Sequence, residues 1–419
     1  MRRPRPRTIA IGALALILVA APFVPRGGDD EGALRPSGEG EAAAPRNADT
    51  AGPSRITPAM RAEIDRVVDA GRSVGRSLAR TAGRQDPRQL ADRLVRCADF
   101  DGQRYCLGTG WTEDTQQQVQ ARMATAARAP VARRGGTETT GDLDARAALE
   151  RAARMSPAAR AAADRAELTG AARSVAKVWL LRHEIEGVPL PAGFLADHPE
   201  ARATGSARTS TATAGQAPTP ETATEAKGRA AYPRRATVLD PRDVAEQSQT
   251  YWCGPTSMQM IVWGWRHRRQ SQQHWANQLG TTTSGTSITD MVRVVNQRTG
   301  WDRERRAGRY IVLDIKHYSF GQWMLLMMRH IHDYRAPVVL HPVLRKQFYP
   351  YLDDDASGHF QVGRGYNKNG DKPDRLGYFE PWNQQRFDPS EPYISRVQWR
   401  RAYRSYRANE AHFGHNVGV

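Results

Sequence analysis

The stretch EQSQTYWCGPTSMQMIVWGW, from Glu246 to Trp265, decides the fold of the C-terminal part of the chain. Pro255 fits the first turn of a helix, where a backbone N–H would have no helical partner. Cys253 stands just before this turn. The apolar residues that follow recur at the spacing of one helix face: Met258, Ile261, Val262 and Trp265. The sequence therefore predicts a helix that begins at Cys253.

Three interpretations of Cys253 are open: a buried structural thiol, a metal ligand or half of a disulfide, and a nucleophile. A helix N-terminus carries partial positive charge and free N–H groups, which lower the pKa of a thiol. We therefore expect an accessible thiol with a lowered pKa. Gly254 would let a substrate backbone approach, and Trp252 is a candidate residue of the binding cleft.

A nucleophilic cysteine needs a base and an oxyanion donor. His359 opens the alternating segment SGHFQVGRGY, which predicts a strand. From local sequence alone it could equally be a surface histidine near Asp353. Glu380 and Asn383 follow the next predicted strand and could orient the imidazole, and Gln247 lies six residues before Cys253 as a candidate oxyanion donor.

The composition places the packed core in the C-terminal part. The 419 residues are 39% hydrophobic, enough for two or three domains. Of the ten Trp residues, all but Trp111 and Trp179 follow Ala230. The net charge of +17 favours anionic partners such as a cell-wall polymer or a membrane surface. Because no nucleic-acid-binding motif is present, we expect no nucleic-acid partner.

The first residues have the pattern of a secretory signal. Four arginines precede the apolar run TIAIGALALILVAAPFV, so residues 1–25 are predicted to be a signal peptide. Pro22 is unfavourable at the expected cleavage site, and an uncleaved N-terminal membrane anchor is the alternative. We therefore expect a secreted, extracellular protein, and the Ala- and Arg-rich usage indicates a bacterial source. Residues 26–55 lack apolar periodicity and are predicted to be a disordered spacer.

Residues 56–198 are predicted to form a small all-α domain with one disulfide loop. Cys97 and Cys106 flank the turn sequence Asp101-Gly102 in CADFDGQRYC, and export permits them to pair. Residues 199–230 are rich in Thr, Ala and Pro and are predicted to be a flexible linker. This order suggests that the helical region shields the site as a pro-region.

Residues 231–419 contain predicted helices followed by a run of predicted strands, which indicates an α+β fold. No cofactor and no metal is expected. His412 and His415 form an H-x-x-H pair without further ligands in the pattern, and the DDDASG segment lacks the spaced ligands of a calcium loop.

The Cys253 motif resembles the nucleophile motif of family 39 of the cysteine peptidases. The resemblance covers about residues 231–390. It implies a papain-like fold for residues 231–419, with Gln247 in the oxyanion hole. At the third catalytic position, where the family usually has Asp-Pro, this chain has Glu380-Pro381, with Asn383 as the alternative. The matching residues are Gln247, Cys253, Gly254, Pro255, Gly358, His359, Gly365 and Tyr366.

The resemblance implies an exported bacterial cysteine peptidase that hydrolyses peptide bonds of a protein or peptide substrate. Two alternatives stay open. The same thioester chemistry would serve a surface acyltransferase, since an amine can replace water as the final acceptor. A non-catalytic papain-like module that binds an anionic wall or membrane is the other, because Glu380 departs from the family pattern.

Overall fold

A computed structural model describes most of the chain: residues 54–72, 82–129, 139–201, 227–300, 308–382, 384–387, 389 and 392–419. The described residues all belong to one compact unit. The predicted signal peptide, nearly all of the predicted spacer, residues 202–226 of the predicted linker, and Asn383 lie outside the described residues. Among the helices that are described, none has the length and apolar content needed to cross a membrane.

The described helices are distributed along the whole compact unit. Their bounds are Pro58–Arg72 (α1), Pro87–Leu94 (α2), Gln116–Arg128 (α3), Ala145–Arg154 (α4), Pro157–Ala172 (α5), Val175–Leu181 (α6), Phe194–Asp197 (α7), Cys253–Arg266 (α8), Gln272–Leu279 (α9), Ile288–Arg298 (α10), Phe320–Met328 (α11), Gln384–Phe387 (α12) and Ala402–Glu410 (α13).

The strands form one mixed sheet. Their bounds are Cys97–Phe100 (β1), Gln103–Cys106 (β2), Gly110–Thr112 (β3), Arg235–Thr237 (β4), Val312–Asp314 (β5), Val338–Leu340 (β6), Gln361–Asn367 (β7), Arg375–Phe379 (β8), Val397–Arg401 (β9) and Asn416–Gly418 (β10). The strand order is β1-β2-β3-β5-β10-β6-β7-β8-β9, and β4 pairs with β7.

The prediction of an all-α fold for residues 56–198 is wrong, because this region also contains three strands. Asp101 and Gly102 adopt positive φ angles of 46° and 79° in the two-residue turn that joins β1 to β2. Cys97 and Cys106 face each other across this hairpin, and their predicted disulfide is confirmed. Strand β3 then pairs in parallel with β5, so the sheet continues into the C-terminal part.

The centre of the sheet is completed by the last strand. Strand β10 pairs antiparallel with β5 and also with β6. Val417 and Val419 are fully buried, in a core cluster that also contains Ile64 of α1 and Trp323 of α11. Residues from both ends of the described chain therefore share one apolar core.

In the C-terminal part, the α+β prediction is confirmed. Helix α8 begins at Cys253, as its pattern predicts, and Ser287 caps α10 by accepting a hydrogen bond from the backbone N–H of Asp290. His359 does not open the strand, since β7 begins two residues later. It is held by its backbone N–H, which donates to the carbonyl of Pro342 at 2.9 Å.

Candidate active site

Helix α8 brings Cys253 against the segment that leads into β7. The hydroxyl of Ser257, one turn into the helix, donates to the carbonyl of Phe360 at 3.3 Å. Gly254 packs against Thr286, whose Oγ1 would lie 2.6 Å from a Cβ at this position. The start of α8 is thereby fixed next to His359, the residue before Phe360.

The expectation of an accessible, acidified thiol is wrong for this structure. Cys253 has 0% of its surface exposed. Burial raises the pKa of the Cys253 thiol well above its usual range, and the negative charge of Asp142 acts in the same direction. Backbone hydrogen bonds involving Phe360 and Gly254 oppose this shift without cancelling it. The backbone groups at the helix start therefore do not outweigh the burial of the thiol.

His359 and Glu380 form the hydrogen-bonded pair that the sequence predicts. Nε2 of His359 lies 2.7 Å from Oε1 of Glu380, and both side chains are fully buried. Because the carboxylate accepts, Nε2 carries a proton. The other ring nitrogen, Nδ1, is buried and has no hydrogen-bond partner in the part of the chain that the structure describes. Nδ1 is therefore the nitrogen left for a thiol.

Glu380 is held by four donors. Oε1 also accepts from the backbone N–H of Trp382 at 2.9 Å, and Oε2 accepts from the Tyr351 hydroxyl at 2.8 Å and from Nε2 of Gln361 at 2.7 Å. Burial acts to raise the pKa of Glu380, but the charge of His359 and these hydrogen bonds outweigh it, so the pKa lies below its usual range. The longer side chain of Glu therefore still orients the imidazole as an ionised carboxylate.

Gln247 lies in the turn before α8, and its backbone N–H donates to the carbonyl of Pro381 at 2.9 Å, next to Glu380. Its Nε2 lies within hydrogen-bond distance of the carbonyl oxygens of Thr140, Gln249 and Thr250, at 3.2, 3.0 and 2.9 Å. The donor of the predicted oxyanion hole thus already contacts carbonyl oxygens of the chain itself.

The other predicted site residues are Trp252, Gly254 and Asn383. Trp252 is half-buried as the residue before α8, and its ring lies edge-on to Tyr251 at 6.2 Å. Gly254 has Thr286 as its close neighbour, and its contact with a substrate stays a prediction. Asn383 lies outside the described residues.

A segment from the N-terminal region, Thr140–Asp142, lies over this site. The Thr140 hydroxyl donates to the carbonyl of Gly358 at 2.6 Å. Gly141 has a φ of 113°, and a Cβ there would lie 2.4 Å from the carbonyl carbon of Tyr251. Its carbonyl accepts from the backbone N–H of Thr286 at 2.9 Å. The segment is thus fitted between the turn before Cys253 and the residue before His359.

Asp142 ends this segment between two buried histidines. Its Oδ1 accepts from Nε2 of His341 at 2.8 Å, and its Oδ2 accepts from Nε2 of His412 at 2.9 Å. Nδ1 of His341 lies 2.7 Å from Oδ1 of Asn416, an acceptor because the Nδ2 of Asn416 donates to Thr109. Both ring nitrogens of His341 therefore face acceptor oxygens, and the Asp142 carboxylate is held by two buried histidines.

These three side chains also have the spacing of a metal site, since their ligand atoms lie within 4.8 Å of one another. His412 fits a metal poorly. Its Nδ1 accepts from the backbone N–H of Gly414 at 3.0 Å, so its Nε2 carries the proton that Asp142 accepts. A metal bound at Nε2 would require loss of that proton from a ring whose other nitrogen is already an acceptor. The hydrogen bonds of the cluster therefore fit protonated Nε2 atoms better than a bound metal ion.

No sequence pattern indicates this cluster. His341 and His412 lie 199 and 270 residues from Asp142. The H-x-x-H pattern drew attention to His412, but its partners come from a strand end and from the N-terminal region. Only the fold brings them together.

Acidification should destabilise the fold through His412. Burial and the charge of His341 lower its pKa to about 4, against the attraction of Asp142, and His415 also faces it. In the unfolded chain, a histidine has a pKa of about 6.5. As the pH falls from about 6.5 towards 4, the unfolded state binds a proton that the folded state does not bind, so the free energy of unfolding decreases. The loss amounts to about 3 kcal/mol.

Urea unfolding at pH 7 and at pH 4.5 measures this effect. In His412→Gln, the decrease in unfolding free energy between the two pH values should be smaller by about 2–3 kcal/mol than in the wild type. Asp142, whose pKa is lowered, loses its contribution only below its usual range and does not change this window. An equal decrease in both proteins would contradict the prediction.

The fold and the site together define a class: an α+β domain that presents a helix-terminal cysteine to a histidine–carboxylate pair. Residues 241–409 match the model of the Peptidase_C39 like family, so the C-terminal part of the chain is a C39-like domain. This match indicates a function related to that of the cysteine peptidases. Comparisons with curated proteins and with solved structures gave no match.

Proposed function

We propose that the protein is an exported bacterial cysteine peptidase with a papain-like catalytic domain, which hydrolyses peptide bonds. The observation that carries this proposal is the buried His359–Glu380 pair, whose free Nδ1 belongs to the residue beside the start of α8. A buried imidazole with one unpartnered nitrogen is costly unless that nitrogen has a use. Proton transfer with Cys253 supplies one. The export part of the proposal rests on residues 1–25 alone.

In this mechanism, Cys253 Sγ attacks the substrate carbonyl carbon after its proton passes to Nδ1 of His359. Glu380 holds the ring and stabilises its charged form. The amide of Gln247 and the backbone N–H of Cys253 donate to the oxyanion. His359 then returns the proton to the leaving amine, and water hydrolyses the thioester.

Two competing functions make different demands on this site. A non-catalytic module has no need for a desolvated histidine–glutamate pair, and the direct contact of Glu380 with His359 weakens the argument that its departure from Asp marks an inactive relic. Acyl transfer shares every step up to the thioester. It differs only in whether an amine or water takes the acyl group.

The test is a peptide library incubated with the full-length protein and analysed by mass spectrometry for new peptide ends. We expect cleavage by the wild type and none by Cys253→Ala or His359→Ala. His332→Ala is a matched control, because His332 also pairs with a buried carboxylate, Asp333, at 2.9 Å, outside the site. Added primary amine should leave the products unchanged, whereas amide products would indicate acyl transfer. If neither the wild type nor a variant in which Cys253 is more exposed, such as Gly141→Ala, cleaves any peptide, the proposal fails.

A further inference from the structure

We propose that Thr140–Asp142 is an internal inhibitory segment, which occupies the cleft over Cys253 and is fastened there by the hydrogen bonds of Asp142 with His341 and His412. This inference rests on the proposed function for its biological meaning. Its structural claim, a covered thiol that opens when the segment is released, is independent of peptidase activity. The segment must leave before a substrate can reach the sulfur.

The first argument is that the segment uses the contacts expected of a bound peptide. Its Thr140 carbonyl oxygen lies 3.2 Å from Nε2 of Gln247, the predicted oxyanion donor. Its Thr140 hydroxyl binds the carbonyl of Gly358, immediately before His359. A peptide in the cleft would compete for the same groups, so the segment and a substrate exclude each other.

The second argument is the fit of Gly141. Its backbone lies so close to Tyr251 that a Cβ would overlap the carbonyl carbon at 2.4 Å. Its φ of 113° is also unfavourable for other residues. A segment in such close contact with the turn before Cys253 leaves no room there for a second chain.

The third argument is the fastening at Asp142. The carboxylate is buried and accepts from the Nε2 atoms of two buried histidines at 2.8 and 2.9 Å. An additional contact, from the backbone N–H of Thr140 to the Ser357 hydroxyl at 3.0 Å, holds the other end of the segment. Both ends are therefore attached to the C39-like domain, although the segment itself lies outside residues 241–409.

Removing the charge of Asp142 should release the segment. In Asp142→Asn, the amide can accept from only one of the two histidine N–H groups, and its NH2 group then faces the other N–H in a buried place. Losing a buried hydrogen bond to a charged acceptor is costly enough to shift the closed–open equilibrium by about a hundredfold. Gly141→Ala should displace the same segment by a different cause, because the added methyl group overlaps Tyr251.

Cys253 is well suited as the reporter, because the other two cysteines form a disulfide. The experiment measures the rate at which a maleimide with a polyethylene glycol chain labels Cys253 in the full-length protein under non-reducing conditions. The same proteins are also labelled with a small maleimide. Uncovering raises the rate of the bulky reagent more than that of the small one, whereas a change in the charge of the thiol alone raises both rates by the same factor. The control is Asp164→Asn, which breaks the buried Arg96–Asp164 pair, 2.6 Å long, with no contact to the segment.

We expect slow labelling of the wild type and of Asp164→Asn, and labelling about a hundredfold faster in Asp142→Asn. Gly141→Ala should also label faster, and it decides the question if Asp142→Asn fails to fold in a thermal melt. Equal rates in wild type and both folded segment variants would overturn the inference, as would equally fast labelling of Asp164→Asn. Cleavage of the Thr140–Gly141 bond in the wild type would also overturn it, because the segment would then be a substrate. Faster labelling without any peptide cleavage would support the covering segment and count against the peptidase proposal alone.

Discussion

Replacing Glu380 by Gln should lower kcat/KM by up to about 10⁴-fold, the loss that follows when the orienting carboxylate of a serine-protease triad is made an amide. The four donors around Glu380 explain the size of the effect. An amide oxygen placed towards His359 and the Trp382 N–H turns the amide nitrogen towards Nε2 of Gln361, which is also a donor. The reverse orientation forces Nε2 of His359 to accept. The proton then moves to Nδ1, and the ring can no longer take one from the thiol.

The matched variant is Glu380→Asp, which keeps an ionised, acceptor-only group. It should retain far more activity than Glu380→Gln, since the loss of one methylene can be met by a small shift of the strand end. The measurement is kcat/KM on one peptide found in the library screen, with unfolding curves to check that each variant is folded. Similar rates for Glu380→Gln and wild type would remove Glu380 from the mechanism.

Replacing Gln247 by Ala should lower kcat by about 10²- to 10³-fold, as the loss of one oxyanion donor does in other hydrolases. Substrate binding should change little, because the oxyanion forms only along the reaction path. Nε2 of Gln247 contacts three carbonyl oxygens in the resting protein, so it must exchange one of these contacts for the oxyanion during the reaction.

The control for this variant is Gln249→Ala, two residues away, whose side chain is exposed. It should leave kcat unchanged. Alkylation of Cys253 by iodoacetamide should be retained in Gln247→Ala, which would show that the thiol and imidazole are still assembled. A change confined to KM would mean that Gln247 binds the substrate without stabilising the oxyanion.

The sequence predicted the parts of the site that depend on local pattern. The helix from Cys253 follows from an apolar spacing that only one helix face can produce. Glu380 reaches His359 because β7 and β8 are neighbouring antiparallel strands, so the residue after one lies near the residue before the other. A run of consecutive predicted strands indicates which strands are neighbours, and the pairing of residues at their ends follows from that order.

What the sequence could not provide are contacts between distant segments. Strand β3 pairs with β5 through Trp111 and Leu313, and three- and four-residue strands leave no periodic pattern to read. The exposure of Cys253 was predicted wrongly for a similar reason. Helix electrostatics act locally, but Asp142, which raises the pKa of the thiol and ends the covering segment, comes from another part of the chain.

The position of β10 has a consequence for the order of folding. A chain is synthesised from its N-terminal end, so residues 416–418 become available after the other described strands, although they pair with both β5 and β6. Contacts between residues so far apart in sequence make folding slow. His412 and Asn416, which hold Asp142 and His341, arrive with the same strand. We therefore expect the sheet to close and the proposed covering segment to be fastened late in folding, and until then the nascent chain carries a thiol that its own fold does not yet protect.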